Sequence, residues 1–91
     1  MKELKEICKN HKIEVAEKQS DFWNLAIPII TKIQSEGVTF LIKADGERES
    51  NVFTILLQGG ILSDDYYRCE ADSLEYGINK AISYYAENFW S

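Results

Sequence analysis

The chain has 91 residues, 45% of them hydrophobic and 27% charged, and a formal net charge of −5. That length makes a single domain, 1–91, which buries roughly 64% of the surface its unfolded form exposes, enough for a core without metals or disulfides. The composition excludes a disordered tail. The acidic balance argues against a phosphate-backbone binder, whose affinity comes from clustered Lys and Arg.

Residues 1–19 form a lysine-bearing leader, with Lys2, Lys5, Lys9, Lys12 and Lys18 against four glutamates, so the acidity belongs to the body of the chain. Leu4, Ile7, Cys8 and His11 recur at helical spacing and predict a short helix near 2–10. Ile13 and Val15 then alternate, which reads as an extended or irregular piece through Ala16; one longer helix is the alternative. The opening residues are charged where a signal peptide needs an apolar run, and no window approaches the eighteen or so apolar residues of a membrane span. A cytoplasmic protein with no membrane association is expected. Cys8 and Cys69 form no CxxC pair and read as small buried hydrophobes.

Ser20 or Asp21 is the expected cap of a second helix, whose broad apolar face comprises Phe22, Trp23, Ala26, Ile27, Ile29, Ile30 and Ile33. Pro28 falls inside this pattern, so the helix either kinks there or begins near Ile27. Gly37 closes it as a left-handed cap.

Three extended runs follow. Val38–Ala44 alternates, Asp45-Gly46 begins a polar turn running to Ser50, and Val52–Leu57 is almost continuously apolar until Gly59-Gly60 breaks it. These predict an antiparallel hairpin, and the apolar character of both faces of Val52–Leu57 predicts a central or heavily covered strand. Tyr66–Ala71 emerges from Ser63-Asp64-Asp65 as the third strand. The last helix opens on a capping-box pattern, Asp72 with Glu75, and carries Leu74, Ile78, Ala81, Ile82, Tyr85 and Phe89 at three- and four-residue steps. Gly77 lacks the side chain that would hold this helix off the sheet. The fold class is therefore α+β, with a short N-terminal helix before an αβββα core over 20–91.

The double-stranded RNA-binding domain shares this element order, and its grip depends on lysines at the start of the last helix. Here that place reads Glu70-Ala71-Asp72-Ser73-Leu74-Glu75, which repels phosphate, so direct nucleic-acid binding is not expected. Over roughly residues 20–86 the chain also resembles small phage-encoded domains described as an alpha-beta-alpha sandwich. The residues that carry the resemblance are Ser20-Asp21-Phe22-Trp23, Lys32-Ile33-Gln34-Ser35-Glu36-Gly37, and Glu70-Ala71-Asp72-Ser73-Leu74 with Ile78, Lys80 and Ala81. The resemblance implies a phage or mobile-element setting, hence a bacterial host cytoplasm, and assigns no functional residue.

Chemistry is constrained mainly by exclusion. His11, the single histidine, rules out a multi-histidine metal site. Asp64 and Asp65 could share a cation with Asp45, Glu47 and Glu49 only if their two turns met, and solvated carboxylates are the favoured reading. Gly59-Gly60 lacks the following Lys-Ser or Lys-Thr of a phosphate loop. No catalytic, cofactor or metal site is therefore assigned. The aromatic residues are more informative: Tyr66, Tyr67, Tyr76, Tyr84 and Trp90 lie off the predicted core stripe, or in part so. Ringed by Asp64, Asp65, Glu70, Asp72 and Glu75, they suit a protein partner with a basic surface. The expected function is a small acidic, non-enzymatic binding protein of the inhibitor, anti-defence or immunity type. The alternative is a homo-oligomeric structural or accessory phage protein, such as a homodimer whose aromatics pair across the seam.

Overall fold

The computed structural model describes residues 1–15 and 21–90. Its elements run α1 (Leu4–Asn10), α2 (Phe22–Ser35), β1 (Val38–Ala44), β2 (Phe53–Gly59), a 3₁₀ turn (Gly60–Leu62), β3 (Tyr66–Ala71) and α3 (Leu74–Phe89). The fold is α+β: two N-terminal helices, a three-stranded antiparallel sheet and a C-terminal helix.

The sheet is a meander in the order β1-β2-β3, which makes the most apolar strand the central one. Its register pairs Phe40 with Leu57 and Leu57 with Tyr67, and Ile42 with Ile55 and Ile55 with Cys69. Side chains alternate across a strand, so this set faces the helices. Thr39, Leu41 and Lys43, with Thr54, Leu56 and Gln58, and Tyr66, Arg68 and Glu70, form the other, open face.

Helix α3 lies against β2 and β3, and α2 against β1. The core joins Ile29 and Ile33 of α2, Ile55 and Leu57 of β2, and Ile78, Ala81, Ile82 and Tyr85 of α3. A Cβ on Gly77 would lie 3.3 Å from Ile55 Cγ1 and 3.4 Å from the Ala71 methyl, so the missing side chain lets α3 descend onto the sheet. The N-terminal segment belongs to this core as well: Leu4, Ile7 and Cys8 are buried, and α1 packs on α2 and α3. Lys12 takes φ 52°, and the Ile13 N–H reaches back to Cys8 O at 2.9 Å, an arrangement that ends the helix; residues 13–15 then run on without regular structure, within the extended or irregular course expected. The remainder of that run, at Ala16, lies outside the described residues.

Several sequence expectations change in detail. Asp21 caps α2, accepting a hydrogen bond from the Asn24 N–H at 3.1 Å, while Ser20 lies outside the described residues. The helix continues through Pro28 and does not begin near Ile27. Its buried face is narrower than predicted: Trp23 and Ile27 are exposed, Ile30 is half-buried, and Leu25 is buried in their place. Strand β2 runs one residue later at its start and two at its end, because Gly59 still pairs with Val38. Ser73, not Asp72, caps α3, accepting from the Tyr76 N–H at 3.2 Å. Gly37, at φ 88°, follows the C-cap of α2 as expected, and its N–H reaches Gln34 O at 3.0 Å. No described helix is long and apolar enough to cross a membrane.

Candidate functional site

The meander order decides which loops are neighbours. The β1–β2 turn lies beside the end of β3 and the start of α3, because Phe53 pairs with both Ala44 and Ala71. Side chains tie this end together. The Asp45 N–H donates to Val52 O, the Asp45 carboxylate accepts from the Glu47 N–H at 3.0 Å, and the Asp72 carboxylate accepts from the Asn51 N–H. Asp72 is thus diverted from capping α3 to holding the hairpin turn, where Asn51 takes φ 50°.

Six carboxylates gather at this turn end: Asp45, Glu47, Glu49, Glu70, Asp72 and Glu75. Lys43, Arg48 and Arg68 are the cations among them. Arg48 bonds Glu70 at 2.9 Å, Asn51 O at 3.2 Å and Asp45 at 3.6 Å, and Arg68 bonds Glu70 at 2.7 Å. The two guanidinium groups hold the Glu70 carboxyl below its usual range, Arg48 foremost. Glu70 is therefore neutralised in place and is a poor ligand for a basic partner. Among the described residues no ion pair forms at Glu47, Glu49 or Glu75, and Tyr76, 52% exposed, stands in the first turn of α3 beside Glu75.

The aromatic and acidic residues singled out from the sequence do not form one patch. Glu70, Asp72, Glu75 and Tyr76 occupy the turn end. Asp64, Asp65 and Tyr66 lie at the other end of β3, roughly 20 Å away for a strand of this length. Tyr66 and Tyr67 point to opposite faces of the sheet: Tyr66 is 64% exposed on the open face, while Tyr67 is half-buried beneath α3. There Tyr67 stacks on Tyr84 with ring centres 4.1 Å apart and planes at 16°. Burial, then the neighbouring Cys69 and Tyr84, pushes the Tyr67 hydroxyl well above the usual phenol range. Tyr67 and Tyr84 thus join sheet to helix and offer little to a partner.

Trp90 departs furthest from its expected place on the outer face. Its indole N–H donates to Glu36 at 3.0 Å, the Tyr85 hydroxyl donates to the same carboxylate at 2.7 Å, and Lys32 pairs with it at 3.4 Å. Lys32 also sits over the Trp90 ring at 5.2 Å, and the His11 ring lies 5.3 Å from it. Burial favours the neutral acid at Glu36, but the donors from Tyr85, Trp90 and Lys32 outweigh it and hold the carboxyl below its usual range. This cluster fastens the C-terminal ends of α1, α2 and α3 to one another, which gives His11 and Trp90 structural surroundings.

The two acidic turns do not meet, since the β1–β2 turn and Asp64-Asp65 occupy opposite ends of the sheet. No group of three or more His, Cys, Asp or Glu among the described residues is arranged to hold a metal ion. Cys8 and Cys69 are buried; the thiol of Cys8 approaches Leu25 O and that of Cys69 approaches Gly77 O, and burial pushes the Cys8 thiol above its usual range. Sequence reasoning missed Asp45, Glu47 and Glu49 as companions of Asp72 and Glu75. The signal was the near-equal length of the three strands, seven, seven and six residues, which in a meander brings the first turn level with the end of the third strand.

No family model matches the chain, and neither curated proteins nor solved structures provide a match. The likeness to the phage-encoded domains is carried by element order and the quoted residues alone.

Proposed function

We infer that this domain is a non-enzymatic binding protein that docks its carboxylate-lined turn end on a basic surface of another protein, as inhibitors and immunity-type proteins do. The supporting observation is the convergence of Glu47, Glu49, Asp72 and Glu75, from three separate elements, beside the exposed ring of Tyr76. Carboxylates spaced along a rigid end stand in for phosphates, accelerate encounter with a basic surface and repel nucleic acid itself. Tyr76 supplies a large contact area at low entropic cost. Asp64, Asp65 and Tyr66 form a second, smaller acidic contact at the far end, and the resemblance puts the setting in a phage or mobile element.

The test is capture of partners, at low and high salt, from a lysate of the organism that carries the gene. A basic protein recovered at low salt and released at high salt is the expected result. Recovery of acidic proteins alone, or of nucleic acid, overturns the reading.

A further inference from the structure

Four of the large apolar side chains that stand exposed lie along one edge of the molecule: Trp23 (40%) and Ile27 (57%) on α2, and Leu41 (49%) and Ile42 (44%) on β1. Trp23, Ile27, Ile30 and Gln34 recur at steps of four, three and four, which places them on one flank of α2. That flank borders β1 across a groove of about 410 Å³ lined by Ile30, Gln34, Val38 and Phe40. β1 is an edge strand, with β2 on one side only.

The hydrogen-bond phase of the hairpin shows what this edge offers. The Asp45 N–H is bonded across the hairpin to Val52 O. In an antiparallel ladder the bonded residues alternate, so Lys43, Leu41 and Thr39 also turn their backbone groups toward β2. Val38, Phe40, Ile42 and Ala44 therefore aim theirs outward. Of the usual edge protections β1 carries a single lysine, Lys43 on the open face, and neither a proline nor a charge on its helix-facing side. The opposite edge, β3, is guarded by Arg68 and Glu70 and their link to Arg48.

We propose that this edge binds a second copy of the chain, β1 pairing antiparallel with its equivalent about a two-fold axis at Leu41 to give a continuous six-stranded sheet. The strand maps onto itself in that register. Phe40 lies opposite the partner's Ile42, Val38 opposite the partner's Ala44, Thr39 opposite the partner's Lys43, and Leu41 opposite its own copy. No like charges face each other, and the four outward residues exchange about eight backbone hydrogen bonds between the two copies. The partner's Ile42, on the helix-facing side, enters the groove between Ile30 and Phe40.

Helix α2 follows the same axis. Leu41 lies roughly 10 Å along β1 from Val38, and Ile27 roughly 12 Å back along α2 from Ser35, so both sit at the level of the two-fold. Trp23, Ile27, Ile30, Leu41 and Ile42 are all apolar and do not suit the basic partner inferred above, and the two contacts are separate faces of the molecule. A specific interface buries about 1,000 Å² or more, and the edge strand together with the exposed flank of α2 offers one continuous face for it.

Sedimentation equilibrium of the full chain is the test. The expected result is a monomer–dimer equilibrium that persists in high salt and is unmoved by charge reversal at Glu47, Glu49 and Glu75. Ile27→Glu, at an already exposed position, places two carboxylates at the axis and weakens the dimer about tenfold or more. Ile61→Glu, 60% exposed elsewhere on the surface, leaves it unchanged. The register is read separately by oxidation: Leu41→Cys cross-links two copies, because facing non-hydrogen-bonded Cα atoms lie about 4.5 Å apart, and Thr39→Cys does not. A chain that stays monomeric at millimolar concentration overturns the proposal. So does a dimer indifferent to Ile27→Glu, or one in which Thr39→Cys cross-links as readily as Leu41→Cys.

Discussion

The hydroxyl of Tyr85 donates a 2.7 Å hydrogen bond to the carboxylate of Glu36, joining the core of α3 to the C-cap of α2 across 49 residues of chain. The phenol ring is 1% exposed, so its hydroxyl depends on that single acceptor among the described residues. Glu36→Ala leaves a buried donor unsatisfied and should cost about 1–3 kcal/mol, whereas adding Tyr85→Phe should recover part of the loss. Thermal or denaturant unfolding of the two single variants and the double variant measures the coupling.

The same bond sets a pH dependence from both partners. The Glu36 carboxyl is held below its usual range, so its contribution is present above the unfolded carboxylate pKa and is lost as pH falls through the depressed folded value. The Tyr85 hydroxyl is held above the usual phenol range, chiefly by burial and then by Glu36, so folding resists its ionisation. Its contribution is present below the unfolded phenol pKa and declines as pH rises beyond it. Stability followed by Trp fluorescence should fall at both extremes, and Glu36→Gln should flatten the acid limb.

Gly60, at φ 55°, starts the 3₁₀ turn where β2 passes over Gly37. A Cβ there would meet Glu36 O at 2.8 Å and the Val38 Cγ2 at 2.9 Å, and the former is backbone that cannot swing aside. Gly60→Ala should therefore destabilise by about 2 kcal/mol or more, combining left-handed strain with the clash. Gly46, with open space around it, should accept alanine at little cost. Chemical denaturation of both variants gives the comparison.

Two isoleucines next to each other on α2 separate the core from its flank. Ile29 is fully buried, and Ile29→Asp should abolish folding, as should Ile78→Asp on α3, because each puts an unpaired charge in the core. Ile30 is half-buried on the groove, so Ile30→Asp should remain soluble and cooperative in thermal melts.

These residues also show what was legible in the sequence. β1 and β3 have the bounds their pattern predicts because turn residues punctuate them: Gly37 and Asp45 around the first, Asp65 and Asp72 around the second. The continuous apolar run of β2 identified the central strand. The helix cap was misplaced by one residue, because Asp72 and Ser73 are both capable caps and only the hairpin turn, through Asn51, decides between them. Periodicity located the core side of α2 but extended it to Trp23 and Ile27, since nothing in the spacing records that no described element covers that flank. Trp90 looked like an outward anchor because Glu36, its acceptor, lies 54 residues away and reads as a surface residue beside a glycine cap.

The carboxylate end is tested most directly by comparing the wild-type chain with Glu47→Lys/Glu49→Lys/Glu75→Lys in capture from the native lysate at low salt. None of the three residues forms an ion pair among the described residues, so the melting temperature should hardly change. The account predicts that the variant loses the basic protein retained by the wild type, or binds it with a much slower association rate. Undiminished capture at an unchanged rate would contradict it.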